Sequence, residues 1–347
     1  MYKGKRKFRS SLGWIVLALL LPVAGLAQQP EQGPTVLGGP SKTGTVGAQF
    51  LQLGVSARAT AMGESFVALV NDASAVFYNP GALAELPGRQ AMFNHTTLPG
   101  GLRHFFATYV HPFDVGTLAV SFIMLTTGDM PVTVAFEGPT GESFSASESA
   151  VGLSYAKSLT DRFSVGGTAK VIFEDLAGFN ERTVAFDIGT LYHTGFRELN
   201  LGMSVSNFGP DLNFGDEKDA QGKVVFEGQS FPLPITFRFG ISVDVVNKEN
   251  SKLMVAAQLV QPNDNLRYET FGIEYSWRDA LFLRGGFKLD EEDDKDAAGE
   301  SNGFSENFSA GAGVKASLSG LTGHFDFSWV NQESLDNLVR FSVLLSF

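Results

Sequence analysis

Long stretches of this chain alternate between apolar and polar or small side chains, and that period of two is what most limits the possible folds. In residues 117–125, Leu118, Val120, Phe122 and Met124 share one face, and Thr117, Ala119 and Ser121 the other. In 163–174, Phe163, Val165, Ala169, Val171 and Phe173 oppose Ser164, Thr168, Lys170 and Glu174. In 235–245, Ile235, Phe237, Phe239, Ile241, Val243 and Val245 oppose Thr236, Arg238, Ser242 and Asp244. In 324–329, Phe325, Phe327 and Trp329 oppose His324, Asp326 and Ser328. About fourteen such segments follow one another. They begin near Gln90, Arg103, Thr117, Ser149, Arg162, Arg182, Leu199, Pro234, Lys252, Leu266, Leu281, Asn307, Gly323 and Val339. Several are long enough to cross a bilayer at a tilt, whereas soluble sandwiches favour shorter strands.

The connections carry a second pattern. The gaps after the third, seventh and eleventh segments, 128–148, 209–233 and 290–306, are long. The turns of opposite parity, HPFDVG, SLTDR, TGFRE, VNKENS, WRDA and LSGLT, are short. Long loops on one rim and tight turns on the other is the outer-membrane arrangement, and an even strand count returns the C-terminus to the short-turn, periplasmic rim. Gly supplies 39 and Phe 31 of the 347 residues, while only 44% are hydrophobic. Such moderation suits strands that show alternate residues to lipid and lumen. The expected fold is all-β, an antiparallel transmembrane β-barrel of about 14 strands. Lipid-facing positions such as Phe239 should reject a charge, and lumen-facing positions such as Ser242 should accept one.

Residues 1–27 read as a signal peptide. Lys3, Lys5, Arg6, Lys7 and Arg9 precede an apolar run from Leu12 to Leu21 and the small-residue ending Gly25-Leu26-Ala27. Cleavage after Ala27 leaves a mature chain starting at Gln28, with 28–40 as a flexible leader. There is no cysteine, which excludes a disulfide framework and a lipidated Cys after the signal. The signal holds five of the 26 Lys and Arg and no acid, so 21 basic residues face 37 acidic ones beyond it, a net charge of about −16. Nucleic acid is disfavoured as a partner, because phosphate neutralisation needs clustered cations.

A barrel this wide cannot fill its lumen with its own side chains. Residues 41–88 contain no good alternating strand and precede the first one. Within them NDASAVFYNPGALAEL (71–86) reads as a short helix with Asp72 or Ser74 as cap, an Asn79-Pro80-Gly81 stop, and a second short helix. Asn79, preceding proline, is pushed out of the α region. Residues 41–88 are therefore expected to form an N-terminal helical plug, and 89–347 the barrel. The plug groups Arg58, Glu64, Asn71, Asp72 and Asn79 are expected to pair with the inward charges Lys170, Asp187, Arg238, Asp244, Glu274 and Arg284.

GAQFLQLGVSARATAMGESFVALVNDASAVFYNPGALAEL (47–86) resembles the N-terminal signature of the PorV/PorQ outer-membrane proteins of Bacteroidota. The likeness extends through FDIGTLYHTGFRELNLGMSVSNFGP (186–210) and LPITFRFGIS (233–242). Those proteins are similar to the FadL long-chain fatty-acid transporters, barrels whose N-terminal hatch carries an Asn-Pro-Ala motif. Gly81 stands where that family usually has Ala, a replacement expected to loosen the turn. The ending RFSVLLSF, with Phe341, Val343, Leu345 and Phe347 on one face, resembles the C-terminal signal read by the barrel-assembly machinery.

The resemblance implies a component of type IX secretion, in the outer membrane with both termini periplasmic, binding a translocon or exported cargo. The alternative is a FadL-like transporter of hydrophobic small molecules; the third reading is a structural barrel without flux. No enzyme, metal or cofactor is expected. His95, His104, His111, His193 and His324 fall in no metal-ligand spacing, and no phosphate loop or dinucleotide fingerprint occurs. Ser154 and His193 lack a nucleophile elbow. LDEEDDKDAAGE (289–300) reads as a solvated acidic loop, without the glycine-centred spacing of a calcium loop.

Overall fold

The computed structural model describes residues 44–347 apart from 135, 137, 177–178, 216, 219–223, 227, 291–307 and 333–336. The signal peptide, the leader and nearly all of the acidic loop lie outside the described residues. Fourteen antiparallel strands, each bonded to its sequence neighbours, close into one barrel. They are β1 (Gln90–Thr97), β2 (Arg103–Phe113), β3 (Gly116–Thr126), β4 (Ala146–Thr160), β5 (Phe163–Leu176), β6 (Phe179–His193) and β7 (Asn200–Phe208). The second half is β8 (Thr236–Lys248), β9 (Ser251–Pro262), β10 (Tyr268–Trp277), β11 (Leu281–Asp290), β12 (Phe308–Leu318), β13 (Leu321–Asn331) and β14 (Leu338–Ser346). The seam joins β1 to β14, with Gln90 opposite Ser346 and Thr97 opposite Val339.

The alternation has a plain cause. Along β6, Thr183, Ala185, Asp187 and Leu191 are buried inside, while Val184, Phe186, Ile188 and Tyr192 face out. Outward apolar side chains stay uncovered, Ile188 at 62% and Leu283 at 63% exposure, which only a lipid surround makes favourable. Tyr155, Tyr192, Tyr275 and Trp277 stand on the outer face toward the short-turn rim, where aromatic girdles form. Among the described residues no helix is long and apolar enough to cross a membrane.

Two long gaps contain more pairing than the sequence suggested. The ladder of β4 with β5 continues to Ala146 opposite Leu176, so β4 starts three residues before Ser149. Met130–Val134 pairs with Gly138–Phe144, and Leu212–Phe214 with Gln229–Phe231. Beyond the hydrocarbon the outer face is free to be polar, so pairing persists where the alternation fades.

Residues 44–88 pack against inner faces of the wall. They hold the 3-10 turn Gln49–Gln52, helix α1 (Ala57–Ala61), helix α2 (Ala75–Tyr78) and the 3-10 turn Pro80–Glu85. The first two were not legible as helix, being too short to show a period. The last turn lies against β4, β5 and β6, and α1 against β11 to β14. Phe50, Leu51, Val55, Met62, Phe66, Tyr78 and Leu83 form the buried centre. The Phe66 and Tyr78 rings meet edge-on at 5.3 Å, and Val55 N donates to the Tyr78 hydroxyl at 3.2 Å. Burial holds the Tyr78 pKa well above its ordinary value. Helices of four and five residues do not persist alone in water, so these contacts hold them. The capping differs from expectation. Ser74 occupies the N-cap position of α2 without a side-chain cap; its N and Oγ both donate to Asp72 Oδ1, at 2.9 and 2.5 Å.

Candidate functional site

The Asn79-Pro80-Gly81 turn is where the plug locks to the wall. Asn79 is extended, at φ −160° and ψ 94°, and ends α2. Its Nδ2 donates to Val67 O at 2.8 Å and to Thr190 O of β6 at 2.9 Å. Its Oδ1 accepts from Gly81 N at 3.1 Å, capping the next turn. One side chain thus joins two plug segments to the wall. Gly81 does not loosen this turn. A Cβ there would fall 2.6 Å from Gly189 O and 2.9 Å from Thr190 Cα, so the missing side chain lets two backbones touch.

The wall answers with glycines of its own. A Cβ on Gly166 would collide with Pro80 O, on Gly202 with Val67 O, and on Gly286 with Gly63 N. On Gly240 it would meet Val67 Cγ1 at 2.6 Å, on Gly272 Met62 O at 2.7 Å, and on Gly311 Ala61 Cβ at 2.5 Å. These residues escaped the sequence reading, although their inward parity on strands marks them.

A chain of alternating charges runs from plug to wall. Arg58 forks onto Glu274 of β10 through Nε at 2.8 Å and Nη2 at 2.9 Å. Its Nη1 reaches Asp72 at 3.1 Å and Asn71 Oδ1 at 2.5 Å. Glu274 also accepts from Arg284 Nε at 2.5 Å, and Arg284 Nη1 reaches Asp326 at 2.6 Å. Burial alone would lower the Arg58 pKa; Glu274 and Asp72 outweigh it and hold the pKa above the ordinary value.

Among the described residues, Lys170, Asp187, Arg238 and Asp244 meet no plug charge, whereas Arg340 lies 3.6 Å from Glu64 of the plug. Lys170 and Asp187 pair with each other at 2.9 Å, and Asp244 pairs with Lys252 at 2.8 Å. Arg238 donates to Ser206 Oγ at 2.7 Å and sits over the plug's Phe77 ring, 5.9 Å from its centroid. Partners on the same or adjacent strands are simply nearer than the plug. Two residues not singled out do more: Arg340 of β14 donates to Thr96 Oγ1 and Thr60 Oγ1, and Gln258 Oε1 accepts from Phe66 N and Val67 N at 3.1 and 2.9 Å. Ser154 bonds Thr168 at 2.7 Å and His193 bonds Glu85 at 2.7 Å, so the two form no catalytic pair. Phe347 donates its N–H to Arg89 O at 3.0 Å and stacks on Tyr109 at 6.3 Å.

Above the plug, toward the long-loop rim, lies a cavity of about 1030 Å³. The plug lines it with Val46, Phe50 and Leu53; the wall adds Leu125, Leu176, Tyr268, Glu148, Glu174 and Arg238. It is a mostly apolar chamber whose floor is the plug.

No protein-family model and no curated protein sequence matches the chain. Solved structures do. The toluene transporter TbuX of Ralstonia pickettii superposes with a TM-score of 0.54 at 14% identity, over 84% of this chain and 97% of that one. The toluene transporter TodX of Pseudomonas putida gives 0.54 at 11% identity, over 84% and 97%. The monoaromatic hydrocarbon channel CymD gives 0.55 at 12%, over 85% and 98%. The chain shares their fold. That fold is a closed antiparallel β-barrel, here of fourteen strands.

Proposed function

We propose that this protein passes small hydrophobic molecules across the outer membrane, along a path that a shift of the plug opens. The cavity carries this reading: a largely apolar chamber of about 1030 Å³ ends on a plug held by short polar and backbone contacts. The named activities of TbuX, TodX and CymD point the same way. An enzymatic role has no support from the site. Removing residues 41–88 should leave a heat-modifiable barrel with raised conductance in planar bilayers and faster uptake of a labelled hydrocarbon into proteoliposomes. Unchanged conductance and uptake would sink the proposal.

The secretion reading rests on the sequence resemblance, and no feature of cavity or plug favours it. A translocon subunit or cargo chain copurifying with the solubilised protein, without any hydrocarbon uptake, would put it first. Absence of both flux and partner would leave the structural role. Outer-membrane residence with periplasmic termini, and Phe347 as the assembly signal, belong to the same proposal. Phe347→Asp should lower the amount of barrel in outer-membrane fractions.

A further inference from the structure

Glu148 of β4 and Glu174 of β5 stand directly opposite each other, both inward, and both line the cavity. Glu181 of β6 stands opposite Glu174 in turn. Like charges directly opposed on a sheet work against folding, so a row of carboxyl groups calls for a compensating cation. No ion pair among the described residues involves Glu148 or Glu174. Glu174 is only 3% exposed; its carboxyl meets Glu148 and the Ala48 N–H, yet its Oε1 accepts no hydrogen bond. An unsatisfied buried acceptor is costly, and a cationic donor relieves it best.

The surroundings define the rest of the ligand. Leu125 stands opposite Glu148, Leu176 follows Glu174 on the same face, and Phe179 stands opposite Leu176; all three line the same cavity. A metal ion is a poor match for such a wall, and among the described residues no group of three or more acidic or His side chains is arranged to hold one. An anion is a poor match too, since the cavity's Arg238, Arg340 and Lys288 are already engaged by Ser206, Thr96 and the Tyr268 ring. We infer that the cavity selects amphiphilic primary amines, with the ammonium between Glu148 and Glu174 and the hydrocarbon against Leu125, Leu176 and Phe179. This rests on the transport reading of the cavity and names its substrate class.

Calorimetry on the full chain in lipid nanodiscs, with empty discs subtracted, tests it using octylamine, octanol, octanoate and calcium chloride at neutral pH. Octylamine should bind about tenfold or more tightly than octanol or octanoate, the scale of a charge-assisted hydrogen bond. The double variant Glu148→Gln/Glu174→Gln should lose that preference while still binding octanol. Equal binding of the three ligands by the unaltered protein overturns the inference without touching the transport reading, and needs no variant to fold. A preference that survives the double substitution overturns it as well, as does calcium binding without amine preference. Binding of none of the three overturns both readings together.

Discussion

Asn79 Oδ1 occupies the space that a Cβ on Gly189 would need, and Pro80 Cδ lies 2.8 Å from the same point. Plug and wall meet there with nothing between them. Gly189→Ala should therefore push the turn off β6 while leaving the outward face of the strand intact. The expected outcome is a folded, heat-modifiable barrel with single-channel conductance above that of the unaltered protein. A conductance equal to the original would mean that the turn accommodates the methyl group.

Asn79 itself should tolerate neither Ala nor Asp. Asn79→Ala removes two donated bonds and the cap on Gly81 N, leaving buried carbonyls unsatisfied at about 1–3 kcal/mol each. Asn79→Asp keeps the cap but turns a carboxylate oxygen toward the carbonyls of Val67 and Thr190. Limited proteolysis of the plug should rise in both variants. Protection in the Asp variant equal to that of the original would count against the hydrogen-bond assignment.

Glu274→Ala leaves two buried guanidinium groups, Arg58 and Arg284, facing each other without the carboxylate between them. Breaking a buried pair in this way costs about 3–5 kcal/mol. The temperature at which the barrel loses its heat-modifiable band should fall clearly. Adding Arg58→Met should restore part of the loss, because the two sites share one network. Additive losses would separate plug and wall energetically.

Phe239→Arg and Ser242→Arg should fail in different ways. Phe239 faces out, and a cation there costs about 2–4 kcal/mol near the midplane, so less folded barrel should accumulate. Ser242 faces in, where its Oγ donates to Ala68 O at 2.9 Å. Arg at that place should displace the plug, raising conductance in a barrel that still folds. Identical behaviour of the two variants would contradict the register of β8.

The charge tolerance expected of Ser242 from sequence shows where pattern reading stops. Alternation announces the strands because lipid forces every second side chain to be apolar; Gln90, Arg103 and Leu281 begin strands where the pattern changes. Lipid makes no demand on the inner face, so the sequence could tell that Arg58 and Glu274 were polar and inward but not that they meet. Lys170 with Asp187, and Asp244 with Lys252, depend on strand register, which a single chain does not print. The wall glycines are subtler still. Each one has plug atoms in the space a Cβ would need, and those atoms arrive from hundreds of residues away for Gly286 and Gly311.

Ser342 of β14 accepts Ala57 N of the plug at 2.7 Å and Asn94 Nδ2 of β1 at 2.9 Å, and Arg340 donates to Thr60 of the plug and Thr96 of β1. The same two side chains therefore fasten the end of the chain to its first strand and to the body inside. Sealing the ring and seating the core draw on the same contacts, so the plug is expected to serve the closing sheet as a mandrel. A chain stripped of residues 41–88 has only the eight-residue ladder of β1 to seal on, and should close more slowly though to the same circumference.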